Sequence, residues 1–112
     1  MSSTDSGRAA EARAADHLRQ HGFKIVAQNW RTRLCEIDII AQKAKVIYFV
    51  EVKYRSTGAQ GSGLDYITPR KLKQMRFAAE SWVHAHGWSG PYQLAAIAVD
   101  GDELSFLDSI YS

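Results

Sequence analysis

Residues 36–53 read EIDIIAQKAKVIYFVEVK, two apolar runs carrying acids and separated by the short stretch Gln42–Lys45. The first run, Glu36–Ala41, and the second, Val46–Tyr54, are rich in β-branched and aromatic residues and read as strands. A linker this short makes them an antiparallel hairpin. Side chains alternate between the two faces of a strand. Glu36, Asp38 and Ile40 therefore share one face, and Ile47, Phe49, Glu51 and Lys53 share one on the next strand. With an even number of residues in the turn these faces coincide, and Asp38 and Glu51 become direct or diagonal neighbours. Diagonal pairs stand about 7–8 Å apart, within side-chain reach of a shared ion.

Two facing carboxylates repel, and a cation between them relieves the repulsion. A hard divalent cation suits them: Mg²⁺ takes a few carboxylate oxygens and completes its shell with water and substrate phosphates. Mn²⁺ is the natural substitute. Lys53, on the face of Glu51, is placed to orient an attacking water and to stabilise charge developing on phosphorus. The plainer reading of Glu51 and Lys53 is a same-face surface ion pair, worth little.

Outward from the hairpin, Phe23, Ile25 and Ala27 alternate with Lys24, Val26 and Gln28, which predicts an earlier strand near 23–28. Before it, Ala10, Ala14 and Leu18 fall on one helical row that Ala15 widens. That helix is capped by Asp5 or Ser6 and ended by Gly22. Glu11 lies on the same apolar stripe. A buried carboxylate needs a partner, so Glu11 is a candidate third acid; the alternative places it at the rim, where it only favours the helix N-terminus.

After the hairpin, residues 56–66 hold Gly58, Gly61 and Gly63 and read as a mobile loop. Thr68-Pro69 opens a second helix, with Thr as cap and Pro at the first position. Its apolar stripe is Leu72, Met75, Ala79, Trp82 and Val83, and Gly87 ends it. Strands at Tyr92–Val99 and Leu104–Leu107 follow, joined by a Gly-Asp turn. The order α-β-β-β-α-β-β predicts an α/β fold, a mixed sheet with helices packed on it.

The second helix begins with Arg70, Lys71 and Lys73. Cations are disfavoured at the positive end of a helix, so an anionic partner such as a phosphate backbone is expected there. Arg31 and Arg55 flank the acidic strands and extend this basic set; solubility is the competing explanation. The four histidines form two pairs, His17/His21 and His84/His86, without an evident third metal ligand. Trp30, Trp82 and Trp88 read as core or rim residues. No phosphate-binding glycine loop or nucleophile elbow is present.

The chain has 112 residues, 46% hydrophobic and 23% charged, with a formal net charge of +2 and a single cysteine, Cys35. This fits one domain, expected over residues 7–112 after a disordered tail at 1–6, that folds without disulfides. The N-terminal stretch lacks the basic and apolar regions of a signal peptide. Val46–Val50 is far too short to cross a bilayer. A cytoplasmic protein with no membrane partner is expected.

Gly7-Arg8 with Glu11, Gly22-Phe23, Asn29-Trp30-Arg31, Glu36-Ile-Asp38, and Phe49-Val-Glu-Val-Lys53 with Arg55 together resemble the YraN-like family. Gly61 and Thr68-Pro-Arg-Lys71 fit its later pattern. The resemblance covers residues 7–107, most specifically 29–55. That family is similar to the Holliday-junction-resolvase-like branch of the restriction-endonuclease-like fold, the PD-(D/E)xK nucleases. The resemblance implies that Glu11, Asp38, Glu51 and Lys53 occupy nuclease active-site positions, with Asp38, Glu51 and Glu11 on the metal. The resemblance does not itself supply a biochemical function; taken with the acidic hairpin, the leading expectation is a Mg²⁺- or Mn²⁺-dependent endonuclease acting on structured or branched DNA, and a homodimer is a candidate assembly. Three residues depart from the family pattern: Cys35 in place of a glycine, Gln60 in place of an aromatic residue, and Gln93 in place of a strand acid. Two other readings stay open: a non-catalytic nucleic-acid-binding module, and a protein-interaction domain with a residual acidic cluster.

Overall fold

The computed structural model describes residues 3–55 and 67–110. The elements follow the expected order: α1 (Ser3–Gln20), β1 (Lys24–Arg31), β2 (Glu36–Lys43), β3 (Val46–Arg55), α2 (Pro69–His86), β4 (Tyr92–Asp100) and β5 (Glu103–Leu107). The five strands form one mixed sheet in the order β1-β2-β3-β4-β5. Pairing is antiparallel except between β3 and β4, which run parallel. Parallel neighbours need a crossover, and α2 supplies it. Among the described residues no helix is long and apolar enough to cross a membrane.

The helices cover opposite faces. Ala10, Ala14, Ala15 and Leu18 of α1 pack with Phe23, Ile39, Ala41, Val50, Ala95, Ile97 and Val99. The alanine row lets the helix backbone lie close to the sheet, and each of these four α1 residues is 1% exposed or less. Arg13 pins the same helix to the β4–β5 turn through the carbonyls of Gly101 and Asp102. On the other face Leu72, Met75, Ala78, Ala79 and Trp82 of α2 pack on Ile37, Ile40, Ile47, Phe49 and Leu94. Thr68 Oγ1 accepts from the Lys71 N–H at 3.1 Å, and Gly87 closes α2 with a left-handed φ of 62°, as its sequence predicts.

Three differences from the sequence expectations are informative. Residues 3–6, expected in a loose tail, belong to α1. Strand β1 runs on to Arg31, because pairing with β2 (Gln28↔Ile39, Trp30↔Ile37, Arg31↔Glu36) carries its polar half. Ile37 joins the α2-side core together with Ile40, so strict alternation in β2 breaks just before Asp38. The glycine-rich loop at 56–66, with Gln60, lies outside the described residues.

Candidate active site

The β2–β3 turn is two residues, Ala44 and Lys45, between the paired Lys43 and Val46. This is the even turn that brings the two acidic faces together. Its register runs Ile40↔Phe49, Ile39↔Val50 and stops; one further step sets Asp38 opposite Glu51. On the other flank of β2 the pairs Gln28↔Ile39 and Trp30↔Ile37 bracket Asn29 and Asp38, and Asn29 is left-handed, with φ 55°. Asparagine tolerates that conformation better than most residues. The backbone at Asp38 thus leaves the ladder on both sides. Its carboxylate fills the fork instead, with Oδ2 accepting the Val52 N–H at 2.8 Å.

Asp38 and Glu51 are half-buried on the wall of a cleft of about 680 Å³, lined also by Glu36 and by Arg70, Lys71 and Lys73 of α2. Lys71 Nζ lies 2.9 Å from Glu51 Oε2. The cations expected to meet phosphates and the acids expected to hold metal therefore face one another across one cavity. The basic first turn of α2, unfavourable for the helix dipole alone, has part of its counter-charge in Glu51.

Burial pushes the Asp38 carboxyl up to about 7, Glu51 adds to the rise, the Val52 N–H opposes it, and Glu11 and Glu36 contribute further. Glu11 is half-buried on α1, close enough for its charge to act on Asp38. Among the described residues no three His, Cys, Asp or Glu side chains form a group that could hold a metal, so Glu11 does not complete a three-acid cluster with Asp38 and Glu51. Lys53 is exposed, on the strand face of Glu51 and in register with Ala98 of β4. Arg31 is exposed and lies 3.7 Å from Glu36 Oε2. The backbone of Arg55 pairs with Asp100; its side chain lies outside the described residues.

Two of the departures from the family pattern, Cys35 and Gln93, lie among the described residues. Cys35 is half-buried beside the cleft, and among the described residues the only non-glycine positions of positive φ are Asn29 and Ala44. The position of Cys35 thus needs no glycine for its backbone. Gln93 Oε1 accepts from Ser109 Oγ at 2.9 Å, and in register it stands beside Tyr48, three residues from Glu51 along the sheet. Among the other candidates, the His21 ring lies tilted against that of His17, with centroids 4.2 Å apart. His86 stacks on Trp82 at 4.3 Å, and both Trp82 and Trp30 belong to the α2-side core. Sequence reading did not single out Leu34 and Phe77, which line the cleft; Asn29 and Glu36 stood in the quoted motifs, Glu36 on the face of Asp38, without being assigned to the site.

The raised Asp38 carboxyl makes a stability prediction. Unfolded, an aspartate titrates near 3.9; folded, Asp38 holds its proton to about 7. The native state binds the extra proton between these values, so this group's contribution to stability is full below about pH 4 and is lost as pH rises through 7. Asp38→Asn removes that loss and should stabilise the metal-free protein at pH 8 by roughly 0.5–2 kcal/mol. Urea melts of both proteins at pH 5 and pH 8 should show the variant's advantage growing with pH. A constant difference would mean that Asp38 does not titrate in this window.

The sequence matches the family described as "Uncharacterised protein family UPF0102" over residues 10–100. A UPF0102 protein of Pseudomonas fluorescens (strain Pf-5) is 37% identical over 102 residues, covering 89% of this chain and 83% of the relative. One from Cytophaga hutchinsonii is 34% identical over 104 residues, 93% of this chain and 92% of the relative. One from Leifsonia xyli subsp. xyli is 40% identical over 94 residues, 83% and 80% respectively. The matched span runs from the alanine row of α1 through the acidic hairpin and the basic start of α2 to the end of β4, and the chain belongs to the UPF0102 family, the YraN-like proteins.

Proposed function

We propose that this protein is a divalent-metal-dependent endonuclease of the restriction-endonuclease-like kind, hydrolysing phosphodiester bonds in structured or branched DNA. One observation supports the reading: Asp38 and Glu51 line one cleft together with Arg70, Lys71 and Lys73, and the two acids are close enough for Glu51 to raise the Asp38 carboxyl. The element order, with two helices flanking a mixed sheet, agrees with it.

The donor set fits a hard divalent cation. Two carboxylates line one cleft, one of them raised to about 7 first by burial and then by its acidic neighbours, and Glu51 already draws an ammonium to 2.9 Å. Two protein carboxylates are a usual complement for Mg²⁺, whose remaining ligands are water and phosphate; Glu11, whose charge acts on Asp38, would contribute only from outside that pair, through a water. Mg²⁺ or Mn²⁺ bound there supplies charge neutralisation and a water that is nucleophilic near neutral pH. The chain's own residues do the rest. Arg70 and Lys73 hold the phosphates flanking the scissile one. With Glu51 engaged by a cation, Lys71, now 2.9 Å from its Oε2, would be available to a phosphate oxygen. Lys53 stabilises the charge that builds up while the water oxygen bonds to phosphorus and the leaving oxygen departs.

The Lys71–Glu51 ion pair is also the one observation that favours a second reading, a non-catalytic nucleic-acid-binding module in which Lys71 permanently neutralises the acid. Cleavage of a panel of duplex, single-stranded, flap and four-way DNA in Mg²⁺ or Mn²⁺ separates the two. The nuclease reading expects products from the flap or four-way substrates ahead of the closed duplex. Tight binding across the panel with no product in either metal would establish the second reading instead.

A further inference from the structure

The same cleft has an apolar lip that the nuclease reading does not use. Leu34 and Phe77 both line it, and they are 80% and 48% exposed. Single exposed apolar residues are ordinary. Two that border one cavity beside three cations are a combination that suits a ligand both anionic and flat.

Each is held in place. The Thr32 N–H donates to the Cys35 carbonyl at 2.8 Å, and Thr32 Oγ1 accepts from the N–H groups of Leu34 at 3.1 Å and Cys35 at 3.2 Å. The β1–β2 connection is therefore a tied turn that presents Leu34 to solvent. Phe77 lies on α2 at i+4 from Lys73 and i+7 from Arg70, so the three share a helical stripe. At 1.5 Å of rise per residue, the ring stands about 6 Å further along the axis than Lys73. Met75, on the buried side of the same helix, is part of the α2 core, so Phe77 is presented outward by the helix rather than left over from its packing.

We propose that Leu34 and Phe77 receive an unstacked base whose phosphates lie on Arg70 and Lys73, so that the cleft takes an unpaired strand in preference to a closed duplex. This inference rests on the nucleic-acid reading above and names the substrate class for it. The base stacks on the Phe77 ring, and Leu34 closes over its edge. A cavity of about 680 Å³ is of the size that encloses small ligands; it admits a short piece of single strand and leaves a paired helix outside. The charge of the α2 cations favours a nucleotide over an apolar peptide as the occupant.

The test is fluorescence anisotropy in EDTA with a labelled dodecathymidylate and a labelled closed hairpin duplex. Wild type should bind the single strand more tightly. Phe77→Ser should weaken single-strand binding about 5- to 100-fold, the range for one aromatic–base stack, with little change for the duplex and an unchanged salt slope. Leu34→Ser should act in the same direction, and Phe77→Trp should keep the wild-type affinity. Both residues are exposed, so circular dichroism should report unchanged folding. Equal losses on both DNAs, or none, would overturn the base-receiving lip while leaving the nuclease reading standing. So would light scattering that shows a dimer which the double variant dissolves, because the lip would then be a self-association surface. Failure of wild type to bind either DNA at low salt would remove the nucleic-acid reading and this inference together.

Discussion

Asp38→Ala should bind branched DNA as tightly as wild type, or more tightly, and cut it at a rate lower by on the order of 10³-fold or more, the scale set by removing a member of a catalytic unit. The two halves of this result have one origin. Asp38 faces Glu51 in a half-buried fork, and burial and its acidic neighbours raise its carboxyl to about 7. Removing it lowers the negative charge that an incoming phosphate meets. It also removes one of the two carboxylates proposed to hold the cation and leaves the Val52 N–H without its acceptor at 2.8 Å. Anisotropy and single-turnover cleavage on the same substrate should therefore move apart. A parallel loss of binding and cleavage would assign Asp38 to the fork's structure rather than to chemistry.

Lys53→Ala should lower single-turnover cleavage on the order of 10²-fold, the usual loss for one well-placed electrostatic group, while DNA affinity falls by about one phosphate contact. Lys53 shares a strand face with Glu51 and is exposed, which places its charge on the side of the sheet where the phosphate is proposed to react. A second lysine sharpens the comparison. Lys71 already contacts Glu51 at 2.9 Å, so Lys71→Ala should disturb the resting acid more than the reaction. Lys53→Arg should not restore the rate, because a planar guanidinium does not reproduce a compact ammonium. An unchanged rate in Lys53→Ala would leave Lys53 as a surface charge and shift the electrostatic role to Lys71.

Much of this arrangement was legible because local signals and the tertiary fold agree. The alanine row of α1 and the Leu72–Trp82 stripe of α2 are periodic, and both faces are buried as their spacing requires. The two-residue turn between Lys43 and Val46 is short enough to fix the register through Ile39↔Val50, which carries Asp38 and Glu51 out to the same end of the hairpin. What stayed hidden depends on partners distant in sequence. The left-handed Asn29 opposite Asp38 is not predictable from Gln28-Asn29-Trp30, because only pairing with β2 shows where the ladder is broken. The Lys71–Glu51 contact follows from how α2 docks on the sheet, which no spacing within either segment reveals. Glu11 sat correctly on its apolar stripe, but α1 covers the face opposite α2; a helix pattern reports which side of the helix is buried, not which end of the sheet its acid reaches.

The nuclease reading of the cleft rests on a divalent cation held between Asp38 and Glu51, and a thermal melt with and without Mn²⁺ tests it most directly. A ligand that binds only the folded state raises the melting temperature by mass action. Wild type should melt at a higher temperature as Mn²⁺ is added, and the gain should shrink sharply in Asp38→Asn, although that variant starts out the more stable of the two at pH 8. A Mn²⁺ shift of equal size in both proteins, or none in wild type, would contradict the assignment of this pair as the metal site.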